Sequence, residues 1–232
     1  MSRNGSYIDY AQNAIEHYES FDEQSRYQLL NETDFEKLEA VLDVGCGAGQ
    51  QLLPFAEKTN ALCIGVDIGK EVGIVGRELF RRKNLEGRAE FFCARGEELP
   101  FAENTFDVVI CRVALPYMNN RRALAEISRV LKTGGKLFLK THAPRFYFGM
   151  IRRRITTFNP KQIAYPIISL AGGTWNLLTG KQPEGDFWKG KEIFQTEKFL
   201  RRELSLNNLR IEKTLPDSNS ETPSYLIVKN GE

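Results

Sequence analysis

The stretch from Val41 to Gln50, VLDVGCGAGQ, constrains this chain more than any other. Val41, Leu42 and Val44 suit a buried strand, and Gly45, Cys46, Gly47, Ala48 and Gly49 then supply a turn with almost no side-chain bulk. Beyond the turn, Leu52, Leu53, Phe55 and Ala56 fall at near-helical spacing, which predicts a helix whose N-terminus faces whatever sits above the loop. A strand, a glycine loop and a helix in this order let a ligand approach backbone atoms. The loop departs from the dinucleotide fingerprint, because Gln50 stands where a third glycine or an alanine belongs. Asp43 puts a carboxylate at the strand end, where it repels a pyrophosphate and suits a cation.

The length of 232 residues favours one α/β domain with an insertion. A net charge of +2 leaves no broad basic footprint for nucleic acid. Cys46, Cys63, Cys93 and Cys111 form no Cys-x-x-Cys pair, and three of them lie in apolar runs that read as strands, so core thiols are expected and no metal site. The first 20 residues lack the apolar core of a signal peptide and no uninterrupted apolar run reaches membrane-spanning length, so a soluble, cytoplasmic protein is expected.

Asp43-Val44-Gly45-Cys46-Gly47-Ala48-Gly49 resembles the first motif of the class I S-adenosylmethionine-dependent methyltransferases, in particular their small-molecule branch. The cofactor carries an ammonium and a sulfonium, and Asp43 can hold the ammonium directly or through water. The resemblance is close over about residues 40 to 142 and loose elsewhere. It implies a doubly wound, seven-stranded, mostly parallel sheet closed by an antiparallel strand, with S-adenosyl-L-methionine as methyl donor and S-adenosyl-L-homocysteine as product. On that reading residues 1–39 form a helical cap, 40–142 the cofactor-binding core, 143–195 an inserted lid and 196–232 a closing helix and strand pair. Helices are expected over 8–18 and 22–38, and the family's leading tyrosine, which touches the cofactor, matches Tyr10 or Tyr18.

A second strand, Ala61 to Val66, ends in Asp67, 22 residues after Gly45. An acid at that offset reaches the tip of the adjacent strand, where its two oxygens accept from both ribose hydroxyls; the competing role is a cap for a helix from Gly69 to Arg82. Ile68 would pack on the adenine. After a third strand at 89–94, Gly96 and Glu97 lie in a short turn before Leu99-Pro100-Phe101 that in the family encloses the adenine. Many members carry an Asp there that accepts from the adenine amino group. Here Arg95 stands in that place and cannot accept, so either Glu97 substitutes or the amino group meets backbone or water. The central strand Phe106 to Cys111 brings Arg112, Val113 and Tyr117 to its carboxyl end, with backbone groups of the first two facing the methionine part and Tyr117 near the transferred methyl. Neither Asn-Pro-Pro-Tyr nor a Pro-Cys nucleophile is present, which disfavours methylation of adenine, glutamine or cytosine.

An amphipathic helix over 119–132, ended by Gly134-Gly135, precedes a strand from Lys136 to Thr141, and His142 follows it as a general base or a plain loop histidine. The segment from Ala143 to Gln195 is aromatic and aliphatic and carries Arg152-Arg153-Arg154. Pro166, Gly172 and Gly173 are expected to break its apolar run. It reads as a lid over an apolar acceptor or as a docking surface, through 146–190, for an anionic membrane. A helix over Thr196 to Leu206 and antiparallel strands Leu209 to Leu215 and Ser224 to Lys229 close the chain. The expected activity is methylation of a small, lipophilic acceptor at oxygen, nitrogen or carbon, with no nucleic acid partner. Alternatives are a non-catalytic cofactor-binding scaffold, a methyltransferase acting on a macromolecule such as tRNA, and a nicotinamide-dependent dehydrogenase, which Asp43 and Gln50 disfavour.

Overall fold

The computed structural model describes residues 7–155, 159–217 and 219–231. Helices α1 (Tyr7–Glu19), α2 (Glu23–Arg26) and α3 (Gln28–Asn31) precede strand β1 (Ala40–Val44). The chain continues through α4 (Leu53–Lys58), β2 (Leu62–Asp67), α5 (Val72–Arg82), β3 (Ala89–Cys93), β4 (Phe106–Arg112), α6 (Asn120–Val130) and β5 (Leu131–Lys140). It ends with α7 (Pro144–Arg154), α8 (Pro160–Thr179), α9 (Glu197–Ser205), β6 (Leu209–Leu215) and β7 (Ser224–Lys229).

The seven strands form one sheet in the order β3-β2-β1-β4-β5-β7-β6. The first five pair in parallel, and β7 runs antiparallel to both β5 and β6. Every residue of β1 is buried, as a central parallel strand with helices on both faces requires. Alternation along the strands divides the core. Val41, Val108, Ile110 and Phe138 pack with Phe55, Leu79 and Phe80 on one face, and Leu42, Val109, Leu137 and Leu139 pack with Leu124, Ile127 and Leu200 on the other. The strand order reverses between β1 and β4, and ligands bind outside the carboxyl ends of strands at such a point.

Three expectations about elements need correction. The helix expected over 22–38 is broken into α2, α3 and a 3₁₀ turn at Phe35–Lys37. Gly134-Gly135 does not separate α6 from its strand: β5 begins at Leu131, which pairs with Phe106, and the glycines lie in an irregularity before Lys136 pairs with Val108. Pro166, Gly172 and Gly173 do not break their segment, which is a continuous helix of 20 residues. Proline at 166 removes the N–H that would bond the Gln162 carbonyl, and that carbonyl accepts from Arg154 Nη1 instead, at 3.3 Å. The glycines let aromatic rings come close, since a Cβ at Gly172 would stand 2.6 Å from Trp188 and one at Gly173 would stand 2.2 Å from Phe194. No helix of the described residues is long and apolar enough to cross a membrane.

Candidate active site

Gly45, Gly47 and Gly49 have φ of +74°, +56° and +75°, a region side chains adopt only with strain. The outer two are also packed tightly. A Cβ at Gly45 would meet Ala114 Cβ at 2.2 Å, and one at Gly49 would meet Phe91 Cε1 at 2.5 Å. At Gly47 it would meet nothing within 4 Å, so the middle glycine faces open space. The amides of Gly45 and Cys46 both donate to the Val66 carbonyl, at 2.7 and 3.0 Å, which ties the loop to β2.

Asp67, at the end of β2, takes part in the same tie. Its Oδ2 accepts from Gly47 N at 3.0 Å and its Oδ1 from Gly69 N at 2.9 Å. It does not cap α5, which starts at Val72 behind Glu71. Each carboxylate oxygen keeps a further lone pair for a hydroxyl donor. Ile68 beside it is 66% exposed, an apolar side chain with no core to fill.

Asp43 is 2% exposed, and its Oδ2 has no hydrogen-bond partner among the described residues. Burial pushes its carboxyl up to about 8, with the Asp67 charge adding to the effect and Arg112 opposing it. Unpaired buried carboxylates are costly, and a cation delivered to this point would offset that cost. Open space at Gly47 and an unpartnered acid at Asp43 are what an S-adenosylmethionine-like ligand, cationic at its methionine end, requires.

The other predicted contacts are placed as follows. Arg112 Nη2 stands 3.9 Å from Asp217 Oδ2, and Lys140 Nζ lies 2.7 Å from the same oxygen, so the ends of β4 and β5 share one partly buried counter-ion. Val113 has φ +62°, a genuine outlier for a β-branched residue, and its amide donates to the Lys140 carbonyl at 2.8 Å. Gly96 is buried under Met118, whose Sδ would lie 2.7 Å from an added Cβ. Glu97 Oε1 accepts from Asn119 N at 3.0 Å and from the exposed Arg95 at 3.3 Å. Cys46 is buried in the loop, where burial raises its thiol pKa. Tyr18 packs in the core. Tyr10 lies on α1, with its side chain outside the described residues.

His142 and Tyr117, placed apart in sequence, meet on a third residue. Glu192 is 4% exposed, and its carboxylate accepts from four groups. His142 Nδ1 lies 2.6 Å from Oε2 and the Tyr147 hydroxyl donates to the same oxygen at 2.7 Å. The hydroxyls of Tyr117 and Tyr165 both donate to Oε1. Burial alone would raise the Glu192 carboxyl, but hydrogen bonds and charge from His142, with those of the two tyrosines, outweigh it and hold it at about 2. Phe146 stacks on the imidazole with ring centroids 3.9 Å apart. A carboxylate on Nδ1 fixes the tautomer that leaves Nε2 as the basic nitrogen. Sequence reasoning missed Glu192, Tyr147 and Tyr165. The tyrosines project from α7 and α8, Glu192 sits in an irregular segment after them, and no spacing in the sequence links the three.

A cleft of about 890 Å³ lies away from the glycine loop; Asn119, Trp175, Gln182 and Trp188 are among its lining residues. The strained Val113, the buried Asp43 and the His142–Glu192 contact lie instead at or just beyond the carboxyl ends of β4, β1 and β5. Among the described residues no cluster of three or more His, Cys, Asp or Glu could hold a metal ion.

Residues 42–139 match the family described as a methyltransferase domain. An uncharacterized methyltransferase of Bacillus subtilis, YcgJ, is 38% identical over 103 residues, covering 44% of this chain and 40% of that protein. The solved YcgJ structure superposes over 91% of this chain and all of its own with a TM-score of 0.60 and 20% identity. Sterol 4-C-methyltransferase strm-1 of Caenorhabditis elegans is 36% identical over 99 residues, covering 42% of this chain and 29% of that protein. Magnesium protoporphyrin IX methyltransferase of Synechocystis, solved with bound S-adenosylhomocysteine, has a TM-score of 0.61 at 18% identity, over 96% of this chain and 85% of its own. The matched stretch spans less than half the length of these curated relatives.

Proposed function

We propose, from the match of residues 42–139 to a methyltransferase domain and from the glycine loop with Asp43 and Asp67, that this chain is an S-adenosylmethionine-dependent enzyme of the class I type that methylates a small, largely apolar acceptor bearing a hydroxyl or amine. The observation that carries the reading is the His142–Glu192 contact at the carboxyl edge of the sheet that also presents the glycine loop and Asp67. The cofactor supplies a methyl group on sulfur that is already activated. What remains for the protein is to bind, align, exclude water and accept a proton. Asp67 holds the ribose, Asp43 the ammonium, and Ile68 packs on the base. Glu192 keeps Nδ1 of His142 protonated, so that Nε2 takes the proton the acceptor loses. Glu192 and Tyr165 belong to the insertion after β5, so the segment that covers the acceptor also completes the base.

Support for an apolar acceptor comes from the aromatic lining of the insertion and from two similar proteins, one named for sterols and one for a porphyrin. The test is release of S-adenosylhomocysteine from the purified chain with a panel of lipophilic alcohols, phenols and amines. Acceptor-dependent release supports the reading. Salt-sensitive methylation of tRNA or DNA, with none of the small molecules turned over, overturns it.

Two further results are expected. Asp67→Ala weakens S-adenosylhomocysteine binding by about 1.5–3 kcal/mol, about tenfold to more than a hundredfold, since charged acceptors for two hydroxyls are lost and Gly47 N is untied. Calorimetric titration reads it, and unchanged affinity rules the assignment out. Binding at pH 7 also releases a proton. Asp43, raised to about 8 in the free chain, is mostly protonated there, and a cationic ligand favours its ionised form, so affinity rises with pH and levels off above about 8. The charged groups facing it are Asp67 and Arg112. Titrations in two buffers of different ionisation enthalpy measure the release, which Asp43→Asn removes.

A further inference from the structure

Helix α8 is inside-out. Its buried positions are Pro166, Ser169, Gly172, Gly173 and Asn176, small or polar, whereas Ala164, Ile167, Ala171, Trp175 and Leu178 are exposed. Those five recur at spacings of three and four, so they form one stripe along a helix about 30 Å long. Ile167, Trp175 and Leu178 are 50%, 56% and 80% exposed. Scattered apolar side chains on a surface need no explanation, but a helix that turns its apolar stripe outward and its glycines inward does. The glycines are accounted for by the close approach of Trp188 and Phe194. Ala171 and Trp175 of the stripe border the cleft that Trp188 also lines, and Ile167 and Leu178 stand in solvent.

Charge indicates what covers it. Residues 143–195 hold eight basic and three acidic side chains, while the other 179 residues hold 24 basic and 27 acidic. The positive excess of the whole chain therefore resides in the insertion. Its cations flank the stripe, Arg152 to Arg154 before α8 and Lys181, Lys189 and Lys191 after it. The pair Lys189–Asp186 stands in solvent, where such a contact contributes little and yields to a denser field of anions, while Arg153 is half-exposed beside Glu221. A second copy docking through this face would set two positive insertions against each other. An anionic surface with an apolar interior meets both requirements, because cations at the ends of an amphipathic helix settle on lipid headgroups and Trp and Leu enter the acyl boundary.

We infer that the outer face of α8 is a peripheral membrane-docking surface for anionic phospholipid bilayers. The inference is independent of which acceptor is methylated. It is tested by co-sedimentation of the full chain with phosphatidylcholine vesicles, with and without about one-third phosphatidylglycerol, comparing wild type with Ile167→Glu/Leu178→Glu. Wild type should partition about tenfold more onto the anionic vesicles and less as salt rises. The double variant should lose about tenfold while melting temperature and S-adenosylhomocysteine affinity stay unchanged, since both sites are exposed and remote from the glycine loop. Equal partitioning of wild type and variant overturns the inference, as does absence of wild-type binding to anionic vesicles. A dimer in light scattering that the double variant dissolves, without vesicle binding, overturns it in favour of self-association.

Discussion

Gly47→Val abolishes binding of S-adenosylmethionine and S-adenosylhomocysteine while leaving the chain folded. Nothing lies within 4 Å of a Cβ at this position, so the added Cβ meets no protein atom and the side chain starts into the space assigned to the ligand. The substitution also strains the backbone, because φ is +56° and valine is β-branched, at about 1–2 kcal/mol. A control separates the two effects. Gly87, in the turn before β3, has φ +75° and is equally open, so Gly87→Val incurs similar strain away from the strand ends. Both variants should lose a few degrees of melting temperature, and only Gly47→Val should lose binding. Wild-type affinity in a folded Gly47→Val chain would remove the loop from the site.

The second large effect is on turnover. His142→Ala and Glu192→Gln should each lower kcat by about 10²- to 10⁴-fold, with S-adenosylhomocysteine affinity within about twofold of wild type. Glutamine keeps the size of Glu192 but loses the charge that holds the imidazole. A purely structural role would lower stability and leave the pH profile of kcat/KM alone, whereas a base held by Glu192 shifts its lower limb in the variant. The carboxylate also sets an acid limit on folding. Its pKa in the fold, about 2, lies below the ordinary 4.5, so its contribution is complete above about 4.5 and is lost as pH falls toward 2. Glu192→Gln should flatten the melting-temperature profile over that interval.

The sheet was legible because its signals are local. Val41 to Gly49 carries strand, turn and ligand approach in nine residues, and the mostly parallel sheet with an antiparallel strand follows from the resemblance over 40–142. The place of Asp67 at the end of β2 was legible by its offset from Gly45, although its two backbone hydrogen bonds were not, since they depend on how the loop folds back onto β2. The insertion was the least legible part. Proline and glycine ordinarily end a helix, but Arg154 donates to the Gln162 carbonyl, to which Pro166 has no N–H to offer, and two rings fill the space beside Gly172 and Gly173. Tertiary contacts thus override the local preference. Glu192 carries no local signature at all. It becomes a candidate only when β5, α7 and α8 bring His142, Tyr147 and Tyr165 to one carboxylate, 50, 45 and 27 residues away in sequence.

The central claim is that the strand ends around Asp43, Gly47 and Asp67 bind the donor of a methyl transfer and not a dinucleotide. Calorimetric titration of the purified chain with S-adenosylhomocysteine and, separately, with NAD tests it most directly. Saturable one-site binding of S-adenosylhomocysteine, weakened by Asp67→Ala and absent for NAD, is the predicted result; saturable binding of NAD, or none of S-adenosylhomocysteine, would contradict it.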